Sequence, residues 1–388
     1  MKKILIVNNN LRVGGVQKAL VSLLRELASD PELEITLLLF YPGGALRDQL
    51  PARVRVITPG AVWRCWGLTR ADTAPMHDRV LRGFFAAITR LVGRARALRL
   101  AYPFQRTLRG YDVAVSYLHS GAQRAFYGGC NEFVLRHVEA KRKIAFLHCD
   151  YSAIGADCQE NTAVYSAFDV IAACSEGCRD AFLRVLPQMA EKTVVVPNCC
   201  DLAGLAAYAD AQAHPVHTPL RVITVARLGK EKGVPRAIRA MAALGSLSDA
   251  LHYTVIGDGV ELETCRALIA RYHLERIITL AGERPNPYAE LSASDVLLIP
   301  SVSEAAPLVI GEAAALGVPT LTTETSSARE MVEKTGCGWV CDNSEDGILQ
   351  GIEWLLNHPG EIEGKKRLLT AMPHDNRIAV ESFMELIS

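Results

Sequence analysis

Short apolar runs alternate with amphipathic stretches of helical period along this chain, and the series runs twice. Lys3-Ile-Leu-Ile-Val7 is followed by the turn residues Gly14 and Gly15 and by a helical pattern from Val16 to Leu27. Runs at 34–40, 54–57, 113–117, 143–147 and 170–173 continue it. An Ala-rich connection from Asp201, broken by Pro215 and Pro219, interrupts the pattern, which restarts at 221–226, 253–256, 277–280, 296–299 and 319–322. Such alternation specifies βαβ units and parallel sheets. At 388 residues the chain is also long for one core. The expectation is an α/β protein of two Rossmann-like doubly wound domains, 1–200 and 201–375, with a helix over 376–388 crossing back to the first. Ligands bind at the carboxyl ends of strands in such sheets, so the two domains are expected to face each other across a cleft.

With 49% hydrophobic and 22% charged residues the chain is not disordered. The formal net charge is zero, but residues 1–200 hold 26 Lys and Arg against 17 Asp and Glu, leaving 16 against 25 for the remainder. That asymmetry points one half toward an anionic partner. The apolar run at the N-terminus is too short for a signal-peptide core, and no run approaches a membrane span. Eleven scattered cysteines lack zinc spacing and fit reduced structural thiols, so the expected location is the cytoplasm.

The chemistry concentrates in the second half. Arg227 and Lys232 follow the first run there and can meet a diphosphate. Glu304 and Glu312 bracket an apolar run, and carboxylates suit the hydroxyls of ribose and sugar, which donate to charged acceptors. Leu308, Val309 and Ile310 open the helix between them and can offer backbone N–H groups to phosphate. Gly257-Asp258-Gly259 closes another strand, with glycines that permit close backbone approach. In the first half, His119 and His148 each follow a strand run at the expected cleft edge, and Gly14 and Gly15 allow a ligand near the backbone. No Asp-x-Asp pair stands in a suitable loop, so no metal or other cofactor is expected.

The order Val225-Ala226-Arg227 through Lys232-Gly233, then Gly257-Asp258-Gly259, then Ser303-Glu304 through Glu312 and Gly317-Val318-Pro319 resembles the donor half of the GT-B glycosyltransferases, specifically retaining family four (glycosyl transferases group 1). Pro197-Asn198 with Asp201 resembles that family's inter-domain segment, and Gly14-Gly15 its N-terminal double-glycine loop. The resemblance implies that Arg227 and Lys232 stabilise the leaving diphosphate, Glu304 contacts the transferred sugar and Glu312 the ribose. It further implies that Gly282, Glu283 and Arg284 seat the base and that His119 lies on the acceptor side. Ala305 and Ala306 replace the family's usual Gly and aromatic residue, which points to a differently shaped pocket.

From Arg79 to Arg109 there are eight arginines and no acidic residue. Leu81, Phe84, Phe85, Ile88, Leu91, Val92 and Ala95 keep helical spacing, with Arg79, Arg82, Arg90 and Arg94 opposite. The expectation is one basic amphipathic helix suited to an anionic membrane surface such as the inner leaflet; a helix packed on its own sheet with a solvated basic face is the competing reading. The resulting expectation is a metal-independent retaining glycosyltransferase moving a sugar from a nucleoside-diphosphate sugar to a hydroxyl acceptor, carbohydrate or lipid-linked, in surface polysaccharide or glycolipid assembly. A nucleotide-sugar epimerase and a non-catalytic sugar- or nucleotide-binding subunit are the alternatives.

Overall fold

The computed structural model describes residues 1–69, 72, 74–208 and 215–388. Residues 209–214 of the Ala-rich connection lie outside the described residues. The chain divides into two compact units, Met1–Cys200 with Asn376–Ser388, and Asp201–Asp375.

Among its described residues the first unit is built on seven strands: β1 (Lys2–Asn8), β2 (Leu33–Leu39), β3 (Arg55–Ile57), β4 (Leu108–Ser116), β5 (Val138–Leu147), β6 (Val170–Ala173) and β7 (Thr193–Val195). They pair in parallel in the order β3-β2-β1-β4-β5-β6-β7. Ile4, Leu5, Ile6 and Val7 have no exposed surface, as a central parallel strand covered on both faces requires. The helix Gly15–Leu27 buries Leu20, Leu23, Leu24 and Leu27, and the helix Arg377–Ile387 adds Ala379, Phe383, Leu386 and Ile387 to the same core. Asn376 holds the returning chain in place, its Oδ1 accepting from the Cys200 amide at 2.8 Å and its Nδ2 donating to the Cys200 carbonyl at 3.0 Å.

Among its described residues the second unit has six parallel strands: β8 (Leu220–Val225), β9 (Leu251–Ile256), β10 (Ile278–Gly282), β11 (Val296–Ile299), β12 (Thr320–Thr323) and β13 (Gly338–Cys341). Their order is β10-β9-β8-β11-β12-β13. Chain order therefore leaves β8 toward β9 on one side and later resumes at β11 on the other, which makes the β8–β11 boundary the switch point where such sheets hold ligands. β7 and β13 add edge strands that the apolar runs do not announce. At β13, a side chain on Gly338 would start 1.8 Å from the Thr320 carbonyl oxygen, so glycine is what allows this edge to close.

The arginine-rich segment departs from expectation. It forms two helices, Met76–Val92 and Arg94–Ala101, separated by Gly93 at φ 88°. A left-handed residue cannot continue a helix, and the turn sends Arg94 into the interior. Arg94 is buried and pairs with Glu132 and Asn161, so it belongs to the core and not to a basic surface. The apolar positions split as well: Phe85 is buried, whereas Phe84, Leu91 and Val92 are exposed.

Candidate functional site

In the second unit the loops at the carboxyl ends of β10, β9, β8 and β11 are stitched one to the next. The Gly257 amide donates to the Gly282 carbonyl at 2.9 Å, and the Leu228 amide to the Asp258 carbonyl at 2.9 Å. Gly257 has φ 141°, and a Cβ there would lie 1.8 Å from the Ala226 carbonyl oxygen. A Cβ on Gly259 would lie 2.5 Å from that of Leu228. The glycines thus let the 257–259 turn rest directly on the backbone that carries Arg227. Glu283 and Arg284 follow β10 on the exposed side of this layer, with Arg284 Nε 3.4 Å from Glu290.

After β8 the chain makes a single turn over Lys230–Lys232 and enters the helix Val234–Ala243 through Gly233 at φ 65°. Pro235 occupies the first helical turn, where its missing N–H costs nothing. This turn places Lys232 Nζ 2.6 Å from Glu304 Oε1. Ser301 donates to the same oxygen at 2.7 Å, and Ser326 donates to the Glu304 carbonyl at 2.7 Å. The Val302 amide donates to the Glu231 carbonyl at 2.8 Å, and Asn343 Nδ2 to the Val302 carbonyl at 2.9 Å. Glu304 is therefore held at the switch point with one carboxylate oxygen doubly occupied and Oε2 unbonded among the described residues.

Arg227 donates to Glu231 at 2.7 Å while remaining 76% exposed. An exposed pair of this kind contributes ~0–1 kcal/mol, so the guanidinium is readily surrendered to an incoming anion. Glu312 is buried within the helix Leu308–Ala315 and accepts from the Tyr288 hydroxyl at 3.2 Å. Leu308 and Val309 open that helix, so their amides have no acceptor inside it. The Ile310 amide instead donates to the Pro307 carbonyl at 3.2 Å, which corrects the expectation that all three amides face a ligand. Sequence reasoning missed Ser301, Ser326 and Asn343.

In the first unit, His119 and His148 follow β4 and β5, and the turn that opens the helix Gly15–Leu27 follows β1. A side chain added to Gly15 would meet nothing within 4 Å, so the space above it is open. Asn8, Asn9 and Asn10 are buried at the end of β1, and the Oδ1 atoms of Asn8 and Asn9 are without partners. These amides went unread, although three consecutive Asn after a buried strand are a visible signal. His119 is buried with Nδ1 unbonded, its pKa lowered to about 4 by burial. Burial, then the charge of His119, lowers His148 to about 3 against a raising contribution from Asn198.

Both imidazoles are neutral at pH 7. The unfolded chain takes up protons below pH 6.5 that the folded chain refuses, so stability falls as pH drops from about 6.5 toward 4. The expected loss between pH 7.5 and pH 5 is on the order of 2 kcal/mol per imidazole. Urea midpoints across that range test this, and His148→Leu should remove a large part of the slope; a flat profile in the unmodified protein would refute it.

Residues 209–369 match the family model described as glycosyl transferases group 1. WcaL of Escherichia coli (strain K12), whose name assigns it to colanic acid biosynthesis, is 35% identical over 136 residues, covering 33% of this chain and 34% of that protein. The amylovoran biosynthesis glycosyltransferase AmsK of Erwinia amylovora is 32% identical over 145 residues, 35% of this chain and 36% of its own. The matched region thus spans about a third of the length of each curated relative. Over the whole chain, Anabaena Alr3699/HepE in complex with UDP and glucose superposes with a TM-score of 0.68 at 17% identity, covering 100% of this chain and 99% of that one. With two parallel-sheet units, the chain has the two-domain Rossmann-like GT-B fold, and residues 209–369 in its second unit match the glycosyl transferases group 1 model.

Proposed function

We propose that this chain is a retaining glycosyltransferase that moves a sugar from a nucleoside-diphosphate sugar to a hydroxyl acceptor in the assembly of a surface polysaccharide. The observation that carries the reading is the Lys232–Glu304–Ser301 cluster at the β8–β11 switch point, with Arg227 exposed on the neighbouring loop. WcaL and AmsK, named as glycosyltransferases of colanic acid and amylovoran biosynthesis, and the UDP and glucose bound to HepE support it.

In this reading Arg227 and Lys232 receive the diphosphate, with the amides of Leu308 and Val309. Gly257, Gly259, Glu283 and Arg284 frame the nucleoside, and Glu312 takes the ribose. Glu304 Oε2 accepts from a hydroxyl of the transferred sugar. His119 serves the acceptor, and the open backbone at Gly15 admits donor phosphate or acceptor. As the anomeric carbon–oxygen bond breaks, charge develops on the diphosphate, where pre-placed cations contribute most. The acceptor hydroxyl attacks from the same face and its proton passes to the departing phosphate oxygen. Configuration is retained and no enzyme nucleophile is used. The two cations take the part a divalent metal would otherwise play.

Incubation with UDP-, GDP- and ADP-sugars, following release of nucleoside diphosphate, tests the reading. One donor class should turn over, at a rate unchanged by excess chelator, and the product should keep the donor's anomeric configuration by NMR coupling. Inverted product would end the retaining assignment, and loss of rate restored by manganese would end the metal-independent one.

A further inference from the structure

The helix Met76–Val92 turns one apolar face inward and leaves a second one bare. Phe85 packs inside, with Leu81 and Ile88 half-buried beside it. Met76 is 71% exposed, Val80 63%, Phe84 55% and Leu91 77%. With exposed Ala87 they recur at helical spacing and fall within roughly 80° of the circumference at about 100° per residue. Exposed Arg79 and Arg90 come next on one flank of this row. Along the same flank Arg82, Gly83, Ala86, Ala87, Arg90 and Phe126 line a recess of about 330 Å³. The Arg82 guanidinium lies 5.5 Å from the Phe126 ring centre and donates through Nε to the Leu68 carbonyl at 3.0 Å, which fixes it at that wall.

We propose that this face docks on an anionic lipid bilayer, with Met76, Val80, Phe84 and Leu91 entering the acyl boundary and Arg79 and Arg90 at the level of the headgroup phosphates. A contiguous apolar row left in water marks a surface that is covered by something. Charge selects the cover. A second copy packed antiparallel on this face about a twofold axis would set its arginine flank against its own counterpart, with no acidic residue between Arg79 and Arg109 to offset it. An anionic membrane instead satisfies the row and its flank together, as it does for interfacial basic helices. No helix among the described residues is long and apolar enough to cross a membrane, so the contact is a surface one. The inference is independent of the donor chemistry, and either can fail alone.

The test is sedimentation of the full chain with vesicles of phosphatidylcholine alone and of phosphatidylcholine mixed equally with phosphatidylglycerol. Partitioning should favour the anionic vesicles at least tenfold and weaken with added salt. The double variant Phe84→Asp/Leu91→Asp, and separately Arg79→Glu/Arg90→Glu, should each lose about tenfold or more, with melting temperatures unchanged because these side chains are solvent-exposed. No binding, equal binding to both vesicle types, or full binding by the double variant would overturn the proposal. So would a concentration-dependent dimer in sedimentation velocity that Phe84→Asp/Leu91→Asp abolishes, which would give the row to a second copy.

Discussion

Lys232→Ala is expected to slow release of nucleoside diphosphate from a nucleotide sugar by about 10²- to 10³-fold, the effect of withdrawing one pre-placed group from developing charge. Lys232 is the cation held on Glu304, at 2.6 Å, and its position is set by the left-handed turn at Gly233. A side chain at Gly233 would begin 2.0 Å from the Pro300 carbonyl oxygen, so the turn cannot drift without moving the end of β11. Removing the lysine also leaves the Glu304 carboxylate to Ser301 alone. Glu304→Gln separates the two effects. It keeps a group that can accept from Ser301 and loses the charge that anchors Lys232, so it should lower kcat more than it raises KM. Ser301→Ala, which loosens the carboxylate without touching either charge, should cost much less than Lys232→Ala. Rates within threefold of the unmodified protein for Lys232→Ala would show that the leaving group does not develop its charge here.

Asp295→Ala is expected to cost about 3–5 kcal/mol of stability in the second unit, the range for breaking a buried ion pair by removing one partner. Asp295 has no exposed surface and gathers four donors. Oδ2 accepts from the amides of His217 and Arg221 at 3.2 and 2.9 Å, and Oδ1 from Lys366 Nζ and His217 Nδ1 at 3.0 and 2.9 Å. Without it, the Lys366 ammonium is left buried and uncompensated. For a unit of this size the melting temperature should fall by roughly 10 °C. Burial alone would raise the Asp295 pKa, but the Arg221 amide, His217 and the charge of Lys366 outweigh it and the net shift is downward. A lowered carboxyl pKa gives stability that is present above the ordinary carboxylate range and lost as pH falls through the folded value. Asp295→Asn should therefore be less stable near pH 7 and less sensitive to acid. An unaltered melting curve for Asp295→Ala would contradict this account of the core.

Eleven of the thirteen strands among the described residues announce themselves as apolar runs, most clearly the central parallel strands covered on both faces, such as Ile4–Val7 and Val296–Ile299. Thr193–Val195 and Gly338–Cys341 do not, since short edge strands bury little and one of them begins with glycine. Charge at strand ends made Arg227, Lys232 and Glu304 legible. What holds them was not. Ser301, Ser326 and Asn343 are ordinary loop residues until the fold brings Asn343 to Val302 and Ser326 to Glu304. Arg94 misled for a related reason. Its spacing fits the amphipathic helix, and only the left-handed Gly93 turns it inward, while a glycine inside a helical pattern is often tolerated.

Whether a nucleotide sugar binds at this switch point is decided by a thermal-shift panel of UDP, GDP, ADP and their sugars on the unmodified chain, Arg227→Ala and Lys232→Ala. A ligand at a hundred times its dissociation constant stabilises the fold by about 2.7 kcal/mol. The site described here predicts that one nucleotide class raises the melting temperature of the unmodified chain and that the shift is lost or greatly reduced in both variants. A shift that survives both substitutions, or no shift with any nucleotide, would contradict a donor site at the β8–β11 switch point.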